Sequence, residues 1–570
     1  MNSYKNKSLY DRITDRQAEL VKVRQPFDAG RKKICEIFRP DLTLTVNKEG
    51  EFEGSEIIEG TGPWALGVNV RGFLGNMVGK HLEWIRYMMS ERRFHGVDEV
   101  NKAMQELEHY MYDVYDRSNY YKILPQFVKD GLSIGSPVSY CDEDIANGSA
   151  HFSLPHYSEN YVSQNWLGQD DVYHRGGDWK MTAKQANDKF EFDDLSLALQ
   201  NDIKQGNHTN KYKFLMAVYS ANDLIFKDLK ADDKKYAPKL PWIQYYIQVD
   251  TEPEKKKPLW AKPYYIRPFT VWHYHRNYHE SYSRTPAWFA VFDTKANNAG
   301  FLSMLEMVEE KARPAMLALA EWKGRVHYGP EGSNWAQTSD EYDRPPKQLR
   351  EGGNYRESMD FLDRLKANCE RHFNTKLWQM IEQYNREHKQ PPTAYQIFQM
   401  IGENSAQVGP EVESFERDIL GPNDEILMDI EFRSGRLVEN VEFPDILYES
   451  DGRVVPKFVG PLSVAQKQHH GVQRVHAGLA ATQPIREEWP ETKYKIKAGK
   501  LTERMLENMN FPQDCITPEE EYDDIQAELA EQQAEDRRLE QAERISKVIP
   551  NVQKETEENS PLAALGAGAA

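Results

Sequence analysis

The sequence has no long hydrophobic run and very little cysteine. No stretch of 18 or more apolar residues occurs, so no segment has the length of a transmembrane helix. The four cysteines are far apart and form no CxxC pair, which predicts free thiols rather than disulfides or a zinc site. The N-terminal stretch has no apolar core of the kind that a secretory signal carries. These absences predict a protein that is made in the cytoplasm and has no membrane partner.

An excess of positive charge is also absent. The 570 residues carry a net charge of -18, whereas a protein that grips DNA needs Lys and Arg to neutralise phosphates. Half of the negative excess lies in residues 517–560, where 14 acidic and 5 basic side chains occur. The remainder is only mildly acidic, so the composition argues against a DNA clamp.

No motif with a known catalytic mechanism is present. The stretch GFLGNMVGKH (72–81) approaches a phosphate-binding loop, but it has Leu74 in place of the first glycine and His81 after the lysine. Small residues at a close helix contact explain it better. His273, His275 and His279 have no carboxylate at ligand spacing other than Glu280, so they are interpreted as interface or surface histidines. The pair His469 and His470 is interpreted in the same way. We expect no metal, no cofactor and no enzymatic activity.

Hydrophobic periodicity predicts a mixed α+β chain that is rich in helix. The predicted helices span 11–38, 64–92, 98–117, 120–132, 299–320 and 355–383. Short β-prone segments between 137 and 286 include SPVSYCDED, KFLMAVYS, WIQYYIQVD and PYYIRPFTVWHYH. A later β-like segment, VVPKFVG, follows Pro444.

The stretch from 390 to 422 is long, regular and without reactive side chains. Its apolar residues recur at helical spacing, and Gly409-Pro410 predicts a kink because proline lacks the donor of the helical hydrogen bond. Beyond it, a helix is predicted from 463 to 481. Another, from 518 to 548, has so thin an apolar stripe that it needs neighbouring copies for stability.

Several segments, in the same order along the chain, resemble the head-to-tail connector (portal) proteins of short-tailed bacteriophages. The similar segments are VNVRGFLGNMVGKHLEWIRYMMSE (Val68–Glu91), YDRSNYYKILPQFVKDGLSIGSPVSYCDED (Tyr115–Asp144), SRTPAWFAVFDTKANNAGFLSMLEMVEEKARPAMLAL (Ser283–Leu319), PPTAYQI with VGPEVESFERDILGP, and VGPLSVAQKQ (Val459–Gln468). The resemblance covers roughly residues 20 to 480. Single segments are weak signals, but five in the right order are strong.

The resemblance implies the architecture of a portal subunit. A wing (1–298) precedes a first stem helix (299–320), a clip (321–354) and a second stem helix (355–383). A channel loop (384–392), a long kinked helix with a return to the wing (393–460), a helical crown (461–548) and a disordered tail (549–570) follow. Twelve copies are the family's usual number in a ring. A long helix that crosses from channel to wing needs stiffness and no site, which explains the stretch from 390 to 422.

The resemblance also implies partners and site residues. The ring stands at one vertex of the virion capsid, is assembled in the host cytoplasm, and passes double-stranded DNA during packaging and ejection. Its partners are the major capsid protein, the scaffold protein, terminase and tail adaptor proteins. Lys376, Arg386 and Lys389 are the candidates for contact with DNA, with ordinary solvated charges as the open alternative. Arg344, Lys347 and Arg350 are the candidates for contact of the clip with terminase or the tail adaptor.

Two other functions stay open at this point. One is a different self-assembling virion protein, such as a tail adaptor or a scaffold. The other is a soluble hydrolase whose site is assembled from distant residues, which a deep pocket lined by carboxylates with perturbed pKa values would favour.

Overall fold

The computed structural model describes most of the N-terminal 460 residues and short pieces beyond them. The described ranges are 7–42, 57–94, 97–145, 147–249, 251–278, 280–312, 355–379, 408–448 and 453–460, with smaller pieces at 316–317, 335, 338–343, 347–348 and within 478–541. In these ranges the chain is a mixture of helices and antiparallel strands, as the periodicity predicts. Part of the predicted fold class is thereby confirmed.

Four helices open the chain, and three of them match their predicted spans. They are α1 (Leu9–Phe38), α2 (Thr61–Met77), α3 (Asp98–Arg117) and α4 (Tyr120–Ser133). Ser8 begins α1 by accepting a hydrogen bond from the backbone N–H of Asp11.

The prediction of one helix over 64–92 is wrong in its second half. Helix α2 ends at Met77, and Ile85–Met89 forms strand β1, which pairs with β13 (Val454–Phe458). The apolar residues of β1 fit helical spacing on paper. Their pairing with a strand almost 370 residues away is a tertiary contact that local periodicity does not report.

The β-rich region contains two antiparallel sheets. In the smaller sheet, β10 (Phe269–Val271), β2 (Val138–Asp144) and β3 (Ser149–Ser153) lie in that order. The larger sheet has the order β4-β5-β7-β8-β9, with β6 beside β7; its strands are β4 (Asn160–Gln164), β5 (Asp170–Arg175), β6 (Lys180–Thr182), β7 (Lys211–Ser220), β8 (Trp242–Gln248) and β9 (Trp260–Tyr264). Helices α5 (Ala183–Lys189) and α6 (Leu197–Gln205) connect β6 to β7.

Two long helices follow the sheets and pack together. Helix α7 spans Pro286–Ala312, so it begins 13 residues before and ends 8 residues before the predicted helix at 299–320. Helix α9 (Tyr355–His372) stops short of 383 because Asn374 adopts a left-handed conformation, after which α10 (Thr375–Trp378) begins. Between the two helices lie α8 (Ser339–Asp343) and the paired strands β11 (Met316–Leu317) and β12 (Lys347–Gln348).

The predicted kink at Gly409-Pro410 is wrong, because these residues begin a helix. Helix α11 (Gly409–Phe415) has the proline in its first turn, where a missing N–H costs nothing. The irregularity comes later, as a π-helical segment at Glu416–Leu420 before α12 (Gly421–Arg433). Here Gly421 donates to the carbonyl of Glu416 and Pro422 has no N–H to donate, so the helix widens by one residue.

Short elements complete the body of the chain after α12. They are α13 (Arg436–Asn440), α14 (Asp445–Tyr448) and strand β13. The predicted channel loop (384–392), the first part of the predicted kinked helix (393–407) and the predicted tail (549–570) lie outside the described residues. Of the predicted crown (461–548) only short helical pieces are described, and residues 531–541 among them are helical and exposed.

Aromatic side chains from distant parts of the chain form the main core. The Trp272 ring lies 4.9 Å from the Phe415 ring and 5.6 Å from the Phe73 ring, centroid to centroid, and its Nε1 donates to Ser414 Oγ at 3.2 Å. Trp84 is fully buried among other rings and donates to the Tyr121 hydroxyl at 3.1 Å. The stretch 408–433 is thus held in the core by strands and helices of the N-terminal half.

One carboxyl group is buried inside this core. Asp424 Oδ1 accepts hydrogen bonds from the hydroxyls of Tyr87, at 2.6 Å, and Tyr115, at 3.3 Å. Burial raises the pKa of Asp424 to about 7, while the two hydrogen bonds oppose the rise. The carboxyl group therefore gains and loses its proton near neutral pH.

Candidate assembly surface and channel residues

Helices α7 and α9 form an antiparallel helical hairpin. Asp293 near the start of α7 bonds to His372 at the end of α9, with 2.9 Å between Oδ2 and Nε2. Farther along α7, Gly300 lies against Leu362 in the first half of α9. The order of these contacts runs in opposite directions along the two helices. The first residues of α7 are thus anchored beside the last residues of α9.

The two halves of α7 have different surroundings. All of its buried residues lie between Pro286 and Asn298, where it packs against the other helices of the body. From 299 to 312 no residue is buried, although six of the eight side chains in FLSMLEMV (301–308) are apolar. A helix that is apolar on most sides is normally buried. The outer half of α7 therefore lacks the cover that its composition calls for.

Exposed apolar side chains continue along the rest of the hairpin. Phe292, on the inner half of α7, has 77% of its surface exposed. We define the apolar hairpin surface by its large exposed side chains: Phe289, Phe292, Leu302, Leu305, Val308 and Phe361. Contiguous exposed apolar surface marks sites of protein association. Sequence reasoning missed Phe289 and Phe292 because they precede the predicted helix boundary at 299, although AWFAVF carries them at helical spacing.

Of the candidate DNA-contact residues, only Lys376 is described. It lies in α10 with its side chain exposed, two residues before Trp378. Trp378 fixes this short helix, since its Nε1 donates to Asn69 Oδ1 at 2.9 Å. Arg386 and Lys389 lie outside the described residues, so the proposed grouping of the three stays a prediction.

The candidate clip residues also stay a prediction. Arg344 and Arg350 lie outside the described residues. The backbone of Lys347 lies in β12 and pairs with Leu317, and this places it on the segment between the two hairpin helices.

The interpretation of His273 as an interface or surface residue is wrong. Its side chain is buried, and its Nε2 lies 3.0 Å from Oδ1 of Asp170 on β5. His275 forms an isolated β-bridge with Arg284 and is exposed, while His279 and the pair at 469–470 lie outside the described residues. Within the described ranges, no three His, Cys, Asp or Glu side chains are grouped as metal ligands would be.

The segment that approached a phosphate-binding loop is mostly helix. Residues 72–77 belong to α2, and a Cβ atom at Gly72 would overlap the Trp378 ring. The glycine therefore allows the close approach of α10 to α2. This agrees with the interpretation of the segment as a close helix contact.

Comparison with known proteins decides the family. A family model described as "Bacteriophage head to tail connecting protein" matches residues 10–516. The chain belongs to this family. The sequence resemblance to head-to-tail connectors is thereby confirmed over most of the chain.

Other comparisons add little to the assignment of this connecting protein. A solved structure titled "Neck of empty GTA particle computed with C6 symmetry" is similar over 72% of this chain and 86% of that chain, at 11% identity and a TM-score of 0.29. A TM-score this low carries no argument about the fold. No curated protein sequence matches the connecting protein. Among its described helices, none combines the length and apolar character that crossing a membrane requires.

Proposed function

We propose that this connecting protein is a portal subunit. Copies of it form a ring of about twelve, the family's usual number, at one vertex of the capsid, and double-stranded DNA is packaged and ejected through the channel of the ring. Membership of the head-to-tail connecting family supports the role in general. The observation that carries the ring is the apolar hairpin surface, which one copy of the chain leaves exposed.

A ring explains the contrast within the helical hairpin. In a head-to-tail ring, one surface of each copy meets a different surface of the next, and every copy is covered once the ring closes. Helices α7 and α9 would be the two stem helices. Burying the apolar hairpin surface against a neighbour would contribute roughly 25 cal/mol for each Å² of apolar area removed from water.

The charge of the hairpin suits a channel through which DNA slides. Residues 299–312 and 355–379 together carry seven acidic and six basic side chains, so they neither attract nor strongly repel phosphates. Lys376, with Arg386 and Lys389, would supply the few positive charges closest to the duplex.

The remaining parts of the proposal concern partners and place. The protein would belong to the virion, be assembled in the host cytoplasm, and contact the major capsid and scaffold proteins. The clip, with Arg344, Lys347 and Arg350, would bind terminase during packaging and tail adaptor proteins afterwards. The role is structural, with no cofactor and no catalytic step.

Native mass spectrometry with negative-stain imaging tests the ring. The wild-type chain is expected to give closed rings with a central hole. A Leu302→Glu/Leu305→Glu variant is expected to give monomers, because each ring contact would bury two unpaired charges. Leu197→Glu is the matched control, since Leu197 is similarly exposed but lies on α6, away from the hairpin.

Two results would contradict the proposal. Rings that persist in the double variant would exclude the apolar hairpin surface as the contact between copies. A wild-type chain that stays monomeric, both alone and when co-expressed with the capsid and scaffold proteins, would exclude the ring itself.

A further inference from the structure

The turn between β4 and β5 is rigidly built by its own hydrogen bonds. Backbone bonds join Asn165 N–H to the carbonyl of Gln169, at 2.9 Å, and Gly168 N–H to the carbonyl of Asn165, at 3.0 Å. The Asn165 side-chain oxygen also accepts from the N–H groups of Leu167, at 2.9 Å, and Gln169, at 3.0 Å. Gly168 has a φ of +79°, which glycine tolerates best. The conformation of the turn is thus fixed without any partner.

This rigid turn holds large apolar side chains out in solvent. Trp166 has 90% of its surface exposed, and Leu167 is exposed beside it. Arg276 Nη2 donates to the carbonyl of Gly168 at 3.1 Å and so ties the turn to the next loop. That loop carries Tyr278, which is 97% exposed and has a φ of +41°, a strained value for a residue with a side chain.

An acidic cleft lies directly beside Trp166. It has a volume of about 490 Å³, and its lining residues include Arg16, Asp171, Asp223 and Leu224. Asp171 Oδ1 is buried and accepts no hydrogen bond from any described residue. Burial and the nearby Asp223 raise the pKa of Asp171 to about 6.

The positive charge in the cleft is already engaged. Arg16 donates to Glu19 Oε2 at 2.9 Å and to Ser163 Oγ at 3.1 Å. The two carboxyl groups of the cleft therefore outweigh its one guanidinium, so a ligand with positive charge would be favoured.

We propose that the Trp166 turn and the cleft bind a cationic segment of a second protein. The charged head of an Arg or Lys side chain would lie between Asp171 and Asp223, and its aliphatic stem would lie on the Trp166 ring. Leu167 and Tyr278 would flank this contact. Exposed Trp and Tyr side chains on ordered backbone match the anchors of protein interfaces. This surface is separate from the helical hairpin, and the inference goes beyond the proposed ring.

Fluorescence anisotropy with a labelled synthetic peptide tests the proposal. The probe is an eight-residue peptide of alternating Arg and Leu, and a matched peptide carries Glu in place of Arg. The Arg peptide is expected to bind the full-length wild-type protein at least tenfold more tightly than the Glu peptide. Trp166→Ala and the double variant Asp171→Asn/Asp223→Asn are each expected to weaken its binding at least tenfold. Asparagine at 223 keeps the oxygen that accepts from the backbone N–H of Ile225, so the local fold is preserved.

Control variants separate local recognition from the overall negative charge. Leu197→Ala and Asp188→Asn remove an exposed leucine and an exposed carboxylate elsewhere in the body, and both are expected to leave the affinity unchanged. A loss in Asp188→Asn equal to that in the double variant would overturn the proposal. Equal binding of the Arg and Glu peptides would do so as well.

The mass of the assembly identifies a different occupant. Trp166→Ala is expected to keep the oligomeric mass of the wild type in native mass spectrometry. A change of mass would show that a second copy of this chain covers the turn, and would overturn the proposal. Because peptide binding and assembly are measured separately, failure of this inference is distinct from failure of the ring.

Discussion

The body of the chain and its helical hairpin treat apolar and polar groups in opposite ways. In the body, even charged groups are buried with partners: Arg39 is fully buried and lies 2.7 Å from Asp130 Oδ1. In the outer half of α7, apolar side chains such as Leu302 and Leu305 stay exposed. The body has the burial of a finished fold, whereas the hairpin has the composition of a core and the exposure of a surface.

This difference separates two sources of stability. Contacts within one chain stabilise the body, so substitutions there should act on the free energy of unfolding. The hairpin is completed only by other molecules, so substitutions there should act on assembly and transit. Three further predictions test this division, in order of their expected effect on the stability of the chain.

Truncation of a buried aromatic ring should have the largest effect. Trp84→Ala removes a fully buried ring that packs on Tyr115, with 5.0 Å between centroids, and donates to Tyr121. The expected loss in the free energy of unfolding is about 3–5 kcal/mol. Chemical denaturation measures it, with Trp64→Ala as the control because Trp64 is partly exposed. Equal losses in the two variants would contradict the assignment of Trp84 to the core.

The buried carboxyl group should make the stability of the body depend on pH. Because the pKa of Asp424 is about 7 in the folded chain and near 3.8 ordinarily, the folded state holds the proton more tightly than the unfolded chain. The free energy of unfolding should therefore be highest below pH 4 and should fall by up to about 4 kcal/mol as the pH rises to 7. Asp424→Asn keeps the oxygen that accepts from both tyrosines and removes this dependence.

Denaturation between pH 4.5 and pH 8 checks the prediction, with Asp188→Asn as an exposed control. Part of the pH dependence should remain in Asp424→Asn, because burial also raises the pKa of Glu108 to about 7, with Arg86 opposing the rise. The double variant with Glu108→Gln should be the flattest. Parallel profiles for wild type and Asp424→Asn would rule out Asp424 as the titrating group.

Removal of an exposed charge beside the hairpin should have the smallest effect on stability. Lys376→Ala is expected to change the free energy of unfolding by less than about 0.5 kcal/mol. In assembled rings, the variant with Lys376, Arg386 and Lys389 all changed to Ala should bind duplex DNA with a weaker dependence on salt. Each lost phosphate contact should lower the slope of log K against log salt by about 0.9. Lys184→Ala, an exposed lysine of the body, should leave the slope unchanged, and an equal slope in the triple variant would exclude these residues from the channel.

The helices of the body could be predicted well, because their signals are local. Apolar residues at helical spacing gave α1, α3 and α4 to within two residues at each end. Alternating apolar residues likewise predicted β2, β7 and β8. The exposed Trp166 turn was missed, although an Asn and a Gly around a Trp-Leu pair are a turn signal that local reading can find.

The errors have a common cause in distant contacts. Strand β1 was read as helix because its partner β13 lies at the other end of the chain. His273 was read as exposed because Asp170 precedes it by about a hundred residues. Asp424 carries no local signal of burial, since a Gly-Pro-Asn-Asp sequence normally indicates an exposed turn.

The sequence by itself determined the mixed composition of helix and strand, the position of most body helices and the resemblance to connector proteins. Periodicity and turn residues encode these features over a few residues, so no knowledge of the fold is needed. The tertiary structure alone decided which polar groups are buried, where the 408–433 stretch packs and which apolar side chains are left exposed. Those properties depend on residues hundreds of positions apart, and burial is set by what packs against a side chain rather than by its neighbours in sequence.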